Sequence, residues 1–122
     1  MNLAISATGD DLESKLDRRF GRCSYFIILD PDTMEFETIQ NASRGASSGA
    51  GVKAAQILAD SEVDNLITGN VGPNAYNALT AAGIEIFTGA SGTVKEAIAK
   101  YKEGELSRTN EPTTAGGTGK SR

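Results

Sequence analysis

The stretch Leu66-Ile67-Thr68-Gly69-Asn70-Val71-Gly72-Pro73-Asn74-Ala75-Tyr76-Asn77-Ala78-Leu79 narrows the choice of fold more than any other part of the chain. It reads as the end of a buried strand, a tight glycine turn and the start of a helix. Val63, Leu66 and Ile67 supply apolar strand residues. Gly69 and Gly72 are expected to take backbone conformations that a Cβ disfavours. Pro73 suits a first helical position, where its missing N–H would be unpaired anyway. Ala75, Ala78, Leu79 and Ala82 then recur with helical spacing, and Gly83 stands where a left-handed helix cap is expected. Strand, glycine turn and helix N-terminus together offer free N–H groups and a dipole that favour an anion. Any βα connection shares this outline; a second glycine-rich loop upstream sets this chain apart.

In chain order, Asn2–Ser6 reads as a short strand closed by the turn Thr8-Gly9-Asp10-Asp11. Leu12, Leu16 and Phe20 recur every four residues and predict one or two helical turns. Ser24–Asp30 is an apolar, β-rich run fit for a central strand. After the Asp30-Pro31-Asp32 turn, Met34–Ile39 alternates as a half-exposed strand does, so residues 24–40 predict an antiparallel hairpin. A helix carried by Val52, Ala55 and Ala59 follows, then strand Val63–Ile67, the helix from Pro73 and a strand at Ile84–Phe87. Thr93-Val94-Lys95-Glu96 is a capping box opening a last helix, with Val94, Ala97, Ile98 and Tyr101 on its buried face.

Helices alternating with strands after residue 50 predict parallel pairing, while the hairpin demands one antiparallel strand. The expected fold is a three-layer α/β/α sandwich on a mixed sheet of about five strands. A chain of 122 residues suits one domain of this kind. Residues 1–106 are expected to form it, with 107–122 as a flexible, glycine-rich C-terminal tail. The tail segment Gly116-Gly117-Thr118-Gly119-Lys120-Ser121 mimics a phosphate loop, but Thr114 stands where that motif needs its first glycine.

Loop Asn41–Gly51 holds only small residues and short amides apart from Arg44, and its N–H groups can form an anion-binding nest. From Thr38 to Ala59 there is no acidic residue, although the net charge is −4. Arg44 and Lys53 lie in that span, with Arg18, Arg19 and Arg22 just upstream. This local basic cluster in an acidic chain points to a small anion. Acidity, with three Tyr, four Phe and no Trp, makes nucleic acid a poor partner.

With no His and the single Cys23, neither His-based catalysis nor a Cys₄ metal site is available within one chain. Cys23 reads either as a small buried hydrophobe or, with its thiol pKa lowered by Arg19 and Arg22, as one metal ligand. A carboxylate site for two metals is disfavoured, since the later loops carry Asn70 and Asn74 where acids would be needed. The N-terminus shows no signal-peptide pattern and no run is long enough to span a membrane, so a cytoplasmic protein is expected.

Three elements carry a family resemblance: Phe20-Gly21-Arg22-Cys23 leading into Tyr25–Asp30, the Gly49-Ala50-Gly51 loop, and Ile67–Ala75. Together they resemble the dinitrogenase iron–molybdenum cofactor biosynthesis family, especially its small, single-domain, orange-protein-like members. The resemblance runs from Met1 to about Leu106. It implies a ribonuclease-H-like topology with sheet order 3-2-1-4-5 and the second strand antiparallel. It also implies a non-enzymatic carrier or assembly scaffold, in an anaerobe, for an anionic molybdenum-containing metal–sulfur cluster of Mo–Cu or iron–molybdenum type. Protein partners in cofactor or redox assembly accompany that role. Carried over, the expected binding residues are Arg22, Cys23, Asn41, Arg44, Gly49, Gly51, Gly69, Asn70 and Gly72, with Cys23 the candidate metal contact. Lacking the histidines and extra cysteines of some relatives, the chain is expected to capture a preformed cluster through N–H groups and arginine. Two other classes use the same features: a phosphate or nucleotide module, and an interaction adaptor in a redox or cell-division assembly.

Overall fold

In the computed structural model, which describes residues 1–113, five strands form one open mixed sheet. They are β1 (Leu3–Ala7), β2 (Tyr25–Leu29), β3 (Phe36–Gln40), β4 (Asn65–Ile67) and β5 (Glu85–Phe87), in the order β3-β2-β1-β4-β5. β2 runs antiparallel to both neighbours, with Ile5 opposite Ile27 and Ile27 opposite Thr38. β1, β4 and β5 are mutually parallel, Ile5 standing beside Ile67 and Ile67 beside Phe87. The expected ribonuclease-H-like topology is therefore the observed one.

Three helices cover the sheet: α1 (Ala50–Asp60), α2 (Pro73–Ala81) and α3 (Val94–Lys102). One face packs Ala4, Phe26, Ile28, Leu66 and Ile86 against Ala54, Ala55 and Leu58 of α1 and Ala75 and Leu79 of α2. The other packs Leu3, Ile5, Ile27, Leu29 and Ile67 against Val94, Ala97 and Ile98 of α3. Strand side chains alternate between faces, so a central strand buried on both sides must be apolar throughout; every residue of β1 except Ser6 is. The capping box forms, with Glu96 N–H donating to Thr93 Oγ1 and Thr93 N–H to Glu96 Oε1. No helix of the described residues is long and apolar enough to cross a membrane.

The structure departs from the elements expected from the sequence in several places. No helix forms over Leu12–Phe20; only Phe20–Arg22 makes a single 3-10 turn. Leu16 instead bridges Ala7, Lys15 bridges Thr93, and Asp17 N–H donates to Ser6 O at 2.9 Å. Leu16 enters the α3 side of the core while Phe20 enters the α1/α2 side. The segment thus crosses the end of the sheet from one layer to the other, which a single helical face cannot do. In α1 the buried face is Ala50, Ala54, Ala55 and Leu58, whereas Val52 is exposed. Ala82, read as the last residue of α2's apolar face, is exposed as well.

Arg108–Thr113, in the stretch read as tail, lie against the body of the fold. Arg108 bridges Phe87, and Thr109 N–H donates to Ile86 O at 2.6 Å. The exposed β5 edge has free backbone groups, and this segment satisfies some of them. The phosphate-loop mimic at 116–121 lies outside the described residues.

Candidate functional site

β1 and β4 are parallel neighbours whose connections leave toward opposite sides of the sheet. A crevice opens at the carboxyl ends of strands at such a switch point. Here it is a cleft of about 560 Å³. Three segments wall it: Arg18–Arg22 following β1, Gly49–Val52 opening α1, and Asn70–Ala75 opening α2.

Backbone bonds hold the first wall to the third. Asn70 N–H donates to Arg18 O at 2.9 Å, and Arg19 bridges Asn70. Beneath them Ser6 Oγ donates to Asp17 O at 2.6 Å and pairs with Thr68 Oγ1 at 2.8 Å, both side chains fully buried. The floor depends on missing side chains. A Cβ on Gly21 would stand 2.8 Å from Gly51 N, and one on Gly51 would stand 2.9 Å from Ala75 Cβ. Gly69 is needed for the same reason, since its Cβ would lie 2.6 Å from Arg18 Cα. The sequence reading assigned Gly69 and Gly72 to unusual dihedrals; Gly72 has an ordinary extended backbone, φ −84° and ψ 175°. The left-handed residue is Gly49, φ +70°, which turns the chain into α1.

Two helices point their N-termini at the cleft, and neither has a side-chain cap or an acidic residue in its first turn. The first N–H groups of a helix have no intrahelical acceptor and carry the positive end of its dipole. α3, which ends elsewhere, is capped by Thr93 and carries Glu96. Arg18, Arg19 and Arg22 line the cleft, and no acidic side chain does among the described residues. Asp17 is buried and binds Arg19 through Nε at 3.2 Å and Nη2 at 3.1 Å. That hydrogen bond and the carboxylate's charge hold the Arg19 guanidinium pKa above its usual value. Arg22 Nη1 donates to Arg44 O at 3.0 Å and Ala46 O at 2.6 Å, clamping the small-residue loop. Arg18 makes no side-chain hydrogen bond or ion pair among the described residues, so its guanidinium is the one left to meet a ligand.

Of the expected binding residues, Arg22, Gly49, Gly51, Asn70 and Gly72 line the cleft, and Gly69 supports it from below. Arg44 is exposed and contributes its carbonyl to Arg22 rather than its guanidinium to the cleft. Asn41 is buried and braces the loop: its Nδ2 donates to Cys23 O at 2.9 Å, and its Oδ1 accepts from Ser43 Oγ at 2.6 Å. Cys23 is fully buried in the core that also holds Phe20, Phe26 and Ala54, and it is not part of the cleft lining. Arg18 and Arg19 are cleft residues that the sequence reading noted as basic neighbours but left outside the site. Their adjacency to Phe20-Gly21-Arg22 was the available signal.

Burial pushes the Cys23 thiol up to about 12, and the nearby Asp17 carboxylate adds to the shift. A raised folded-state pKa favours the native state fully below the ordinary thiol value of 9.0. That advantage is lost as pH rises from there through the folded value. Between pH 9 and 11 the parent protein is expected to lose stability more steeply than Cys23→Ala, by up to about 1.4 kcal/mol per pH unit. Denaturant melts across that range measure the difference; parallel slopes would show that the thiol ionises freely in the native state.

The chain matches the protein family described as "Dinitrogenase iron-molybdenum cofactor" over residues 1–104. An uncharacterised protein of Methanocaldococcus jannaschii is 31% identical over 98 residues, 78% of this chain and 83% of that one. The apo form of the orange protein from Desulfovibrio gigas superimposes with a TM-score of 0.90 at 40% identity, covering 93% of this chain and 96% of that chain. A Thermotoga protein of the DUF35 family gives a TM-score of 0.82 at 38% identity, covering 94% and 98%.

Proposed function

The chain belongs to the dinitrogenase iron–molybdenum cofactor family, and from that premise we propose that it is a non-enzymatic carrier for an anionic, molybdenum-containing metal–sulfur cluster. The observation that carries the reading is the cleft lined by three arginines and two uncapped helix N-termini, with no acidic side chain among its described residues. Such a surface binds negative charge through N–H donors. It offers no ligand set for a bare metal ion: no cluster of three or more His, Cys, Asp or Glu able to hold one occurs among the described residues. The cargo therefore arrives preformed, with its own sulfides completing the metal's coordination. A volume of about 560 Å³ suits a polyatomic anion better than a single ion. Val52, half exposed at the cleft wall, gives polarisable sulfide an apolar surface to lie against.

Incubating the purified protein with tetrathiomolybdate, with and without copper, tests the proposal. The expected result is stoichiometric molybdenum retained through desalting, with a visible spectrum distinct from that of the free anion. Protein emerging without metal would overturn it. Helix N-termini also suit phosphate, so calorimetry with ATP and inorganic phosphate runs in parallel. The aromatic ring at the cleft, Phe20, is buried and leaves no exposed face for a nucleotide base to stack on.

A further inference from the structure

The segment that follows Leu106 ends on the cleft itself. After pairing with β5, the chain brings Thr113 to the turn that opens α2, where its N–H donates to Val71 O at 2.9 Å. Its hydroxyl accepts from Val71 N–H at 2.8 Å. The hydroxyl proton has two acceptors in reach, Val71 O at 3.2 Å and Asn70 Oδ1 at 3.4 Å. Val71 is buried and Asn70 exposed, and both line the cleft.

We infer that Thr113 is a positioning residue for the cleft: it fixes the Asn70–Val71 turn and orients the Asn70 carboxamide so that its NH₂ donors are presented to bound anion. The inference rests on the proposed anion-binding reading of the cleft. A carboxamide has a donor end and an acceptor end on one rotatable bond. Oδ1 lies 3.4 Å from the Thr113 hydroxyl and shares its proton with the nearer Val71 O, a weak bond that still favours the amide with its oxygen toward Thr113. Released from Thr113, the amide can rotate and offer its oxygen to the anion, which repels it. The anchor reaches the turn by a short path along the sheet edge. Thr109 N–H holds Ile86 O, and Thr109 Oγ1 pairs with Thr88 Oγ1 at 2.5 Å. The Arg108–Glu85 ion pair at 3.1 Å has both side chains about half exposed and adds little.

The test uses the full chain and tetrathiomolybdate. Thr113→Val removes the hydroxyl and nearly keeps the shape; Thr113→Ser restores the hydroxyl. Thr113→Val should weaken retention roughly three- to tenfold, the range of one lost neutral hydrogen bond, and Thr113→Ser should recover most of it. In an Asn70→Ala background Thr113→Val should add little, because the two residues then share one effect. In the ligand-free protein, the Val71 amide should exchange about tenfold faster in Thr113→Val, while Ile5 in β1 stays protected. Equal retention by parent and Thr113→Val, or full additivity with Asn70→Ala, overturns the inference while leaving the cleft reading intact. A parent protein that binds no thiomolybdate overturns the cleft reading instead. The clasp is then judged by exchange alone, and unchanged Val71 exchange in Thr113→Val refutes it.

Discussion

Arg18→Glu should cut tetrathiomolybdate retention by a hundredfold or more, the largest functional loss expected from one substitution in this protein. A hydrogen bond to a charged group contributes about 1.5–3 kcal/mol, and reversing the charge adds repulsion where attraction stood. Together they reach roughly 3 kcal/mol, which is about a hundredfold in affinity. The side chain is exposed, so the loss should shrink as salt is raised, because exposed charges are screened over about 10 Å at 0.1 M. Arg18→Gln, which removes charge without reversing it, should fall between, near tenfold. Arg18 is the clean probe because its guanidinium has no intramolecular partner among the described residues. Arg22→Ala would also release the carbonyls of Arg44 and Ala46, mixing loop collapse with lost charge. Metal retained after desalting, with circular dichroism as the fold check, measures the effect. Retention equal to the parent's would place the anion elsewhere.

The largest stability loss is expected at Gly69. An added methyl there meets Arg18 at Cα, and backbone cannot swing aside as a long side chain can. The two segments it would separate are joined by the Asn70 N–H to Arg18 O bond and the Arg19–Asn70 bridge. Gly69→Ala should therefore cost about 3 kcal/mol, the upper end of overpacking penalties, and lower the melting temperature by more than about 10 °C. Gly45→Ala is the control. That glycine has nothing within 4 Å of its missing Cβ, and the substitution should be nearly silent. A Gly69→Ala protein melting with the parent would mean that the cleft walls can part without penalty.

The strands, the three helices and the capping box were legible because each rests on local chemistry: β-rich runs, a proline at the first helical position, a Thr-x-x-Glu pair. Where the reading failed, tertiary contacts decided. Leu12, Leu16 and Phe20 have a spacing compatible with a helix, but Leu16 and Phe20 serve opposite layers of the core. Val52 looks like a core residue of α1 by composition, yet it stands exposed on the cleft wall. The lining of the candidate cleft was half legible for a related reason. Glycine loops mark where backbones approach closely, and both do so here. Which neighbouring side chains reach the cleft depends on how Asp17, Asn41 and the loop carbonyls use them. Asp17 takes Arg19, the carbonyls take Arg22, Asn41 turns to Cys23, and Arg18 is left over.

The burial of Cys23 bears on what the proposed carrier could do to its cargo. Metal–sulfide anions react with thiols by ligand exchange, in which an incoming sulfur displaces one already on the metal, and the attacking species is the thiolate. The one sulfhydryl of this chain is sealed in the core, and burial raises its pKa well above the ordinary thiol value, so near neutral pH it is the thiol and not the thiolate. It has neither the access nor the charge to attack. A cluster lodged in the cleft would leave with the sulfur count it brought, so any remodelling of its metal core would have to occur before loading or after delivery. On the proposed reading the protein exercises custody over a reactive inorganic anion while remaining chemically silent toward it.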